Sequence, residues 1–440
     1  MARQRQEPRS EPAATHRVAR SAIPPGPHTR RPHYLAKERA PVKRPAIPAL
    51  PATARTTSRV VALTSLLAVA ALSTTGCNGL VGGSAEGDDK GPIVLGMAIP
   101  MSGSSADTGP YMKNGAQLAV DEINAKGGIL GRKLRLQVED DACDPKTAVA
   151  AANKLVAAHA AVSVGGYCSG ATLPTLPIFD KRKIPMVIPA ANSNQLVSQH
   201  LKHVFLINGT GSQQAAAAVA WLSKDGAKKV AVMNDNTSYS KDIADLTWAK
   251  LGTTGAPAKA VEEAVNPGES DYSPNVTSVL KSSPDYIYWT GYYQEGGLLI
   301  RQFRQAGYKG KFLVGDGSVD PKLVKIAGAE HGEGVLATMT QTPQTTPGAG
   351  SWIASYRGEF GAEPGPYSTQ SYDAVRVAAE AITKAGSTDG DKVTASLEAM
   401  DGFKTFSGPL KFTADHTLSN GGFVILGVED GQFVLRDSLK

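Results

Sequence analysis

The sequence predicts an α/β protein built as two lobes of parallel sheet flanked by helices. From residue 92 onward, apolar strand-like runs alternate with helix-like stretches, an order that gives parallel sheets covered on both faces. This body is about 350 residues long, more than one doubly wound core comfortably holds, so two lobes are expected. The composition, 41% hydrophobic and 20% charged, is ordinary for a globular protein. It excludes a wholly disordered chain, a multi-span membrane protein and a coiled coil.

The N-terminal segment stands apart from this body. Residues 1–59 hold 13 Lys+Arg, 3 Asp+Glu and ten of the 28 prolines. Such a stretch buries too little apolar surface to offset its ordering entropy, so a disordered leader is expected. It is either a genuine basic tail or a start placed too far upstream. An uncharged apolar run follows from Val60 to Leu72, then Ser73-Thr74-Thr75-Gly76-Cys77. Residues 60–76 are too short an apolar stretch for a membrane-spanning helix and read as an export signal. The small residues before Cys77 resemble a bacterial lipobox, with Thr74 where such motifs usually carry leucine. Lipid on Cys77 would anchor the chain to the outer face of the cytoplasmic membrane. A plain signal peptide with an incidental cysteine is the alternative. Residues 77–90, which contain Gly, Ser and Asp, read as a flexible tether.

The charge is unevenly placed. The whole chain has 46 Lys+Arg against 40 Asp+Glu, a net charge of +6. The leader supplies the excess, and the body is mildly acidic. A nucleic-acid partner is therefore not expected.

In chain order, the expected strands are Ile93–Ile99, Lys133–Glu139, Ala161–Val164, Ile184–Ile188, Val204–Ile207, Lys229–Met233, Tyr286–Trp289, Phe312–Val314 and Gly334–Met339. Tyr111–Ala125, Lys146–Ala158, Gln213–Ser223, Lys241–Lys250, Gly296–Ala306 and Ser371–Lys384 have helical character. The end, Phe423 to Leu435, is strand-like with an Asp430-Gly431 turn signal. In open α/β sheets, ligands bind beyond the carboxyl ends of the strands. The loops there carry glycines, small polar residues and tyrosines: Gly165 to Gly170, Pro189 to Ser193, Asn234 to Tyr239, Thr290 to Tyr293 and Gly315 to Ser318. This suits a small polar ligand with an apolar portion, although turns favour the same residues.

Cys143 and Cys168 remain if Cys77 carries lipid. In an exported chain an even pair suggests a disulfide, with two free buried thiols as the alternative.

The run Asp140-Asp141-Ala142-Cys143-Asp144-Pro145-Lys146, with Asn153-Lys154-Leu155-Val156 behind it, resembles the leucine/isoleucine/valine-binding proteins of ABC importers. Met101-Ser102-Gly103, Ile123 through Gly128, Pro189-Ala190-Ala191 and Tyr286 through Gly307 extend the likeness, which runs from about Ile93 to the C-terminus. The resemblance implies a type I periplasmic-binding-protein fold, with three strands crossing a hinge and ligand in the cleft. Lobe one would comprise 91–209 and 340–420, and lobe two 210–339 and 421–440.

The resemblance also implies site residues. Ser169 matches the serine that holds the ligand carboxylate, and a hydroxyl in a Gly-rich turn suits that role. Ala190 matches the residue whose carbonyl accepts from the ammonium. Asn192 stands in place of a threonine. Tyr239 and Tyr292 match tyrosines of the second lobe that close over the ligand. Asp316 matches a glutamate that pairs with the ammonium, one methylene shorter here. Tyr367 matches a phenylalanine lining the side-chain pocket. Thr108 occupies the place of an aromatic wall residue and Tyr167 replaces a leucine, which changes pocket shape and polarity.

The sequence has no HExxH, GxSxG, P-loop or GxGxxG after a strand. His200 and His203 have no third ligand near them in sequence, and Glu139-Asp140-Asp141 with Asp144 lacks EF-hand spacing. No metal, cofactor or enzymatic activity is expected. The expected protein is a monomeric, lipid-anchored solute-binding protein that captures an α-amino acid, foremost leucine, isoleucine or valine, by hinge closure and delivers it to ABC permease subunits. One alternative is the same fold binding an amide, a urea derivative or an aromatic acid. Another is a surface sensor module that signals through a partner.

Overall fold

The computed structural model describes residues 91–439. The leader, the signal segment, Cys77 and the tether lie outside the described residues.

The first sheet is made of β1 (Ile93–Ile99), β2 (Leu134–Asp140), β3 (Val162–Ser163), β4 (Met186–Ile188) and β5 (Val204–Leu206). Its order is β2-β1-β3-β4-β5, and every pairing is parallel. All seven residues of β1 are buried, as a central strand covered on both faces requires. β2, at the edge, is mostly half-buried, and this explains its alternating pattern.

The chain then builds a second sheet from β6 (Lys229–Asn234), β7 (Ala258–Ala264), β8 (Tyr286–Trp289), β9 (Lys311–Val314) and β10 (Leu336–Met339). After β10 it returns through helices Gly350–Phe360, Ser368–Ala385 and Gly390–Glu398 and a small antiparallel hairpin, β11 (Asp401–Thr405) and β12 (Gly408–Lys411). It ends with β13 (Val424–Glu429) and β14 (Gln432–Asp437), joined at Asp430-Gly431. The second sheet has the order β14-β13-β10-β9-β8-β6-β7. Its four pairings among β6 to β10 are all parallel, and the last two strands join antiparallel, β13 to β10 and β14 to β13.

β7 has no counterpart among the expected strands. Its sequence, Ala-Lys-Ala-Val-Glu-Glu-Ala, is charged because it is an edge strand with no fully buried residue. The helices Ser273–Lys281, Pro321–Ala327, Gly350–Phe360 and Gly390–Glu398 are also additions. Three of them are short, and the longest shows little apolar contrast between its faces, with only Trp352 and Tyr356 buried.

The late helix Ser368–Ala385 packs against the early helix Thr108–Ala125. Their approach depends on Gly115, where a methyl group would stand 2.1 Å from the Ser368 carbonyl oxygen. Cys143 and Cys168 are joined, with their Cα atoms 5.4 Å apart. The bridge ties the loop after β2 to the turn after β3. Among the described residues no helix is long and apolar enough to cross a membrane.

Candidate ligand-binding cleft

The candidate residues sit where the strands of the two sheets end. Ser169 opens a short helical turn after β3, with Cys168 just before it in extended conformation. Asn192 lies in the loop after β4. Tyr239 is in the first turn of helix Ser238–Lys250, whose start is capped by the Thr237 hydroxyl accepting from the Ser240 N–H at 3.2 Å. Tyr292 precedes helix Tyr293–Gln305, and its carbonyl accepts from the Trp289 indole N–H at 3.0 Å. Asp316 starts a 3₁₀ turn after β9. Tyr367 precedes helix Ser368–Ala385 with φ of +63°, a left-handed conformation that a bulky residue adopts at a cost.

Asp316 is the centre of the arrangement. It is 1% exposed. Its Oδ1 accepts from the Tyr239 hydroxyl at 2.6 Å, and its Oδ2 accepts from the Tyr367 hydroxyl at 2.8 Å and the Asn192 amide at 3.3 Å. Among the described residues it forms no ion pair with Lys, Arg or His. Burial raises its pKa, and hydrogen bonds from Tyr239, Gln214 and Tyr367 oppose the rise. The Tyr239 hydroxyl also accepts from the Gly317 N–H at 2.8 Å. Gly317 has to be small, because a methyl there would meet the Tyr239 ring at 2.9 Å and the Tyr292 ring at 3.0 Å.

Asn192 links two groups of opposite chemistry. Its backbone N–H donates to Ser169 Oγ at 3.3 Å, and the Ser193 N–H donates to the same oxygen at 3.2 Å. With both lone pairs of Ser169 Oγ engaged, the hydroxyl hydrogen remains to donate. The Asn192 amide N–H₂ reaches Asp316, while its buried Oδ1 has no partner among the described residues. One residue thus stands between a hydroxyl donor and a carboxylate acceptor. The Ala190 carbonyl, nearby in the same loop, accepts from the Asn208 amide at 2.7 Å, leaving it one further lone pair.

The aromatic residues continue the chain of contacts. Tyr239 and Tyr292 have ring centroids 5.0 Å apart, Tyr292 and Tyr167 5.9 Å, and Tyr167 and Tyr367 5.5 Å in an edge-on arrangement. The Thr108 side chain lies close enough to the Tyr167 hydroxyl to lower its pKa, against the rise that burial causes. Burial raises the pKa of Tyr167, Tyr239, Tyr292 and Tyr367, so all four are neutral hydroxyls. Contacts therefore run unbroken from Ser169 through Asn192 and Asp316 to the tyrosines and Thr108. The structure does not bring Ala190 into this chain: its carbonyl is bonded to Asn208, whose own amide oxygen accepts from Thr340.

The sequence reasoning missed the residues that hold these groups. Gln214 accepts from the Asn192 amide at 2.9 Å and donates to Thr338 at 3.0 Å. Its signal was a polar residue on the apolar stripe of helix Gly211–Lys224, in register with Ala218 and Trp221. A second set joins the lobes at the rim. Asp107 accepts from the Tyr293 hydroxyl at 3.0 Å and pairs with Lys322, while the Ser104 carbonyl accepts from Tyr293 at 3.1 Å and from Gln294. Among the described residues no group of three or more His, Cys, Asp or Glu could hold a metal ion.

Known proteins share most of this chain's length and its fold. A family model described as periplasmic binding protein matches residues 92–432. A Leu/Ile/Val-binding protein homolog 1 of Brucella suis is 33% identical over 353 residues, covering 80% of this chain and 93% of that protein. The crystal structure of a leucine-binding protein, LivK, from Thermotoga maritima has a TM-score of 0.71 at 30% identity, covering 78% of this chain and 97% of that one. That of the branched-chain amino acid transporter substrate-binding protein LivJ from Streptococcus pneumoniae, in complex with isoleucine, has a TM-score of 0.70 at 26% identity, covering 78% and 100%. A match of this extent in sequence and in fold means that the chain belongs to the periplasmic binding protein family and is a binding protein, not an enzyme.

Proposed function

We propose that this protein captures an α-amino acid between its lobes and delivers it to the permease of an ABC importer. The supporting observation is Asp316: a fully buried carboxylate, held by two tyrosine hydroxyls and an amide, with no cation partner among the described residues. A buried charge calls for a counter-charge, and a ligand ammonium would supply it. Ser169, with its hydrogen free to donate, takes the carboxylate, while the Asn192 Oδ1 and the Ala190 carbonyl offer further acceptors to the ammonium. Tyr239 and Tyr292 close from lobe two (210–339 with 421–440) onto lobe one (91–209 with 340–420). Tyr367, Tyr167 and Thr108 face the ligand side chain. Leucine, isoleucine and valine are the first candidates, since the relatives are named for them. Lipid on Cys77 would hold the protein at the membrane surface beside its permease.

Calorimetry on residues 78–440 with the twenty amino acids tests the reading. Asp316→Asn should weaken amino-acid binding by about thirtyfold or more, the scale of a buried charge left without its partner. Affinity within about twofold of the parent would remove Asp316 from the ammonium site. Mass spectrometry of the detergent-extracted mature chain reads the lipid on Cys77.

The hydroxyls of Thr108 and Tyr167 favour a second reading, in which the ligand is an amide, a urea derivative or an aromatic acid. Thermal shifts confined to such compounds would favour it, because a ligand that binds only the folded state raises the melting temperature.

A further inference from the structure

The chain passes from the first sheet to the second after β5 ends at Leu206, and leaves the second sheet after β10 ends at Met339. Asn208 lies in the first passage and Thr340 in the second. Both are buried, and so is Gln370 in the first turn of helix Ser368–Ala385. The Gln370 amide donates to Thr340 Oγ1 at 3.1 Å, the Thr340 hydroxyl donates to Asn208 Oδ1 at 3.0 Å, and the Asn208 amide donates to the Ala190 carbonyl at 2.7 Å. All three bonds run in one direction, so each polarises the next. The Gln370 amide also donates to the Gln341 carbonyl at 3.1 Å, and its Oε1 accepts from the Thr369 hydroxyl at 2.9 Å.

Both ends of this relay lie beside the cleft. Ala190 stands two residues before Asn192, and Gln370 three residues after Tyr367. Asn192 and Tyr367 both donate to Asp316 Oδ2. The bonds thus close a circuit that leaves Asp316 by one loop, crosses both passages and returns by helix Ser368–Ala385. Hinges reside in a few residues at the ends of elements. A rotation that moves one passage against the other must shift the Ala190 carbonyl or break a buried hydrogen bond.

We infer that Thr340 is a positioning residue: its hydroxyl bridges the two passages and ties the angle between the sheets to the place of the Ala190 carbonyl. The effect on ligand rests on the reading of the cleft as an α-amino-acid site, in which that carbonyl accepts from the ammonium. The bridge between the passages does not.

Thr340→Val keeps the shape of the side chain and removes the hydroxyl, whereas Thr340→Ser keeps the hydroxyl. Spin labels on the exposed positions Lys126→Cys and Lys250→Cys report the distance between the two halves of the ligand-free protein by electron–electron resonance. The distance distribution should broaden in Thr340→Val and match the parent in Thr340→Ser. Calorimetry should give Thr340→Val an amino-acid affinity about fivefold lower, the scale of one lost hydrogen bond, and Thr340→Ser the parent's affinity. Gln370→Met, which removes the donor to Thr340, should broaden the distribution too should the first variant fail to fold. An unchanged distribution in the variant that folds, or equal broadening in Thr340→Ser, would overturn the inference alone. Broadening with unchanged affinity would overturn the tie to the Ala190 carbonyl. Distances that respond as stated in a protein that binds no α-amino acid would uphold the bridge and overturn the amino-acid reading.

Discussion

Asp141 shows what one buried carboxyl does to the pH response. It is 2% exposed and accepts from the Cys143 N–H at 2.8 Å. Burial raises its pKa, the Cys143 bond lowers it and the Asp140 charge raises it, leaving it at about 6 against an ordinary 3.8. The folded state therefore binds this proton more tightly than the unfolded state. Its contribution is fully present below about pH 3.8 and is lost as pH rises through about 6, to a total of ~3 kcal/mol. Asp373, also pushed up to about 6 by burial, acts with the same sign. Asp141→Asn keeps an oxygen for Cys143 and removes the titration. Urea unfolding of this variant should lose stability less steeply than the parent between about pH 4 and 6. Parallel profiles would remove Asp141 from the account. At this scale the sequence was informative where a residue's type carries its chemistry, as at Asp316 and Ser169. It was silent where the role comes from a partner. Nothing in the sequence shows that Asn192 reaches both of them, or that Gln214 holds Asn192 from helix Gly211–Lys224.

The disulfide acts at the scale of the element. Cys168 directly precedes Ser169, and its partner Cys143 sits in the loop after β2 with φ of +57°. The bridge closes a loop across 25 residues and fixes the turn that presents the serine hydroxyl. Replacing both cysteines by serine should cost about 3 kcal/mol of stability. It should also weaken ligand binding, as calorimetry at a temperature well below the melting point would read. A melting temperature unchanged by the replacement, or by reductant, would mean that packing alone holds the turn. The central strands were legible because burial on both faces leaves continuous apolar runs. β7 was not, because an edge strand needs no such run and carries charged residues that are only half-buried or exposed.

At the scale of the whole molecule, the rim contacts join the two lobes, and closure over a ligand as proposed would gain from them. Asp107 is the common acceptor for Tyr293 and Lys322. The ion pair is exposed enough to contribute little, and the Tyr293 bond adds about 1 kcal/mol. Asp107→Ala should weaken ligand binding about fivefold, mainly by faster dissociation, which stopped-flow measurement would read. An unchanged dissociation rate would confine closure to the cleft residues. The two-lobed plan was legible from length and strand–helix order. The rim was not, because it joins residues about two hundred positions apart whose types are ordinary on any surface.

The order in which the two sheets are assembled has a consequence for biogenesis. All five strands of the first sheet arrive before residue 207, but the helix that packs on Thr108–Ala125 is Ser368–Ala385. The second sheet has its middle strands by residue 339, yet β10 waits for β13 as its outer neighbour. A chain delivered amino end first therefore carries an uncovered apolar face on one half until Ser368–Ala385 emerges, and an unpaired strand edge on the other until its final hairpin does. Neither half can mature alone, and a product truncated before Val424 leaves the β10 edge open to other chains.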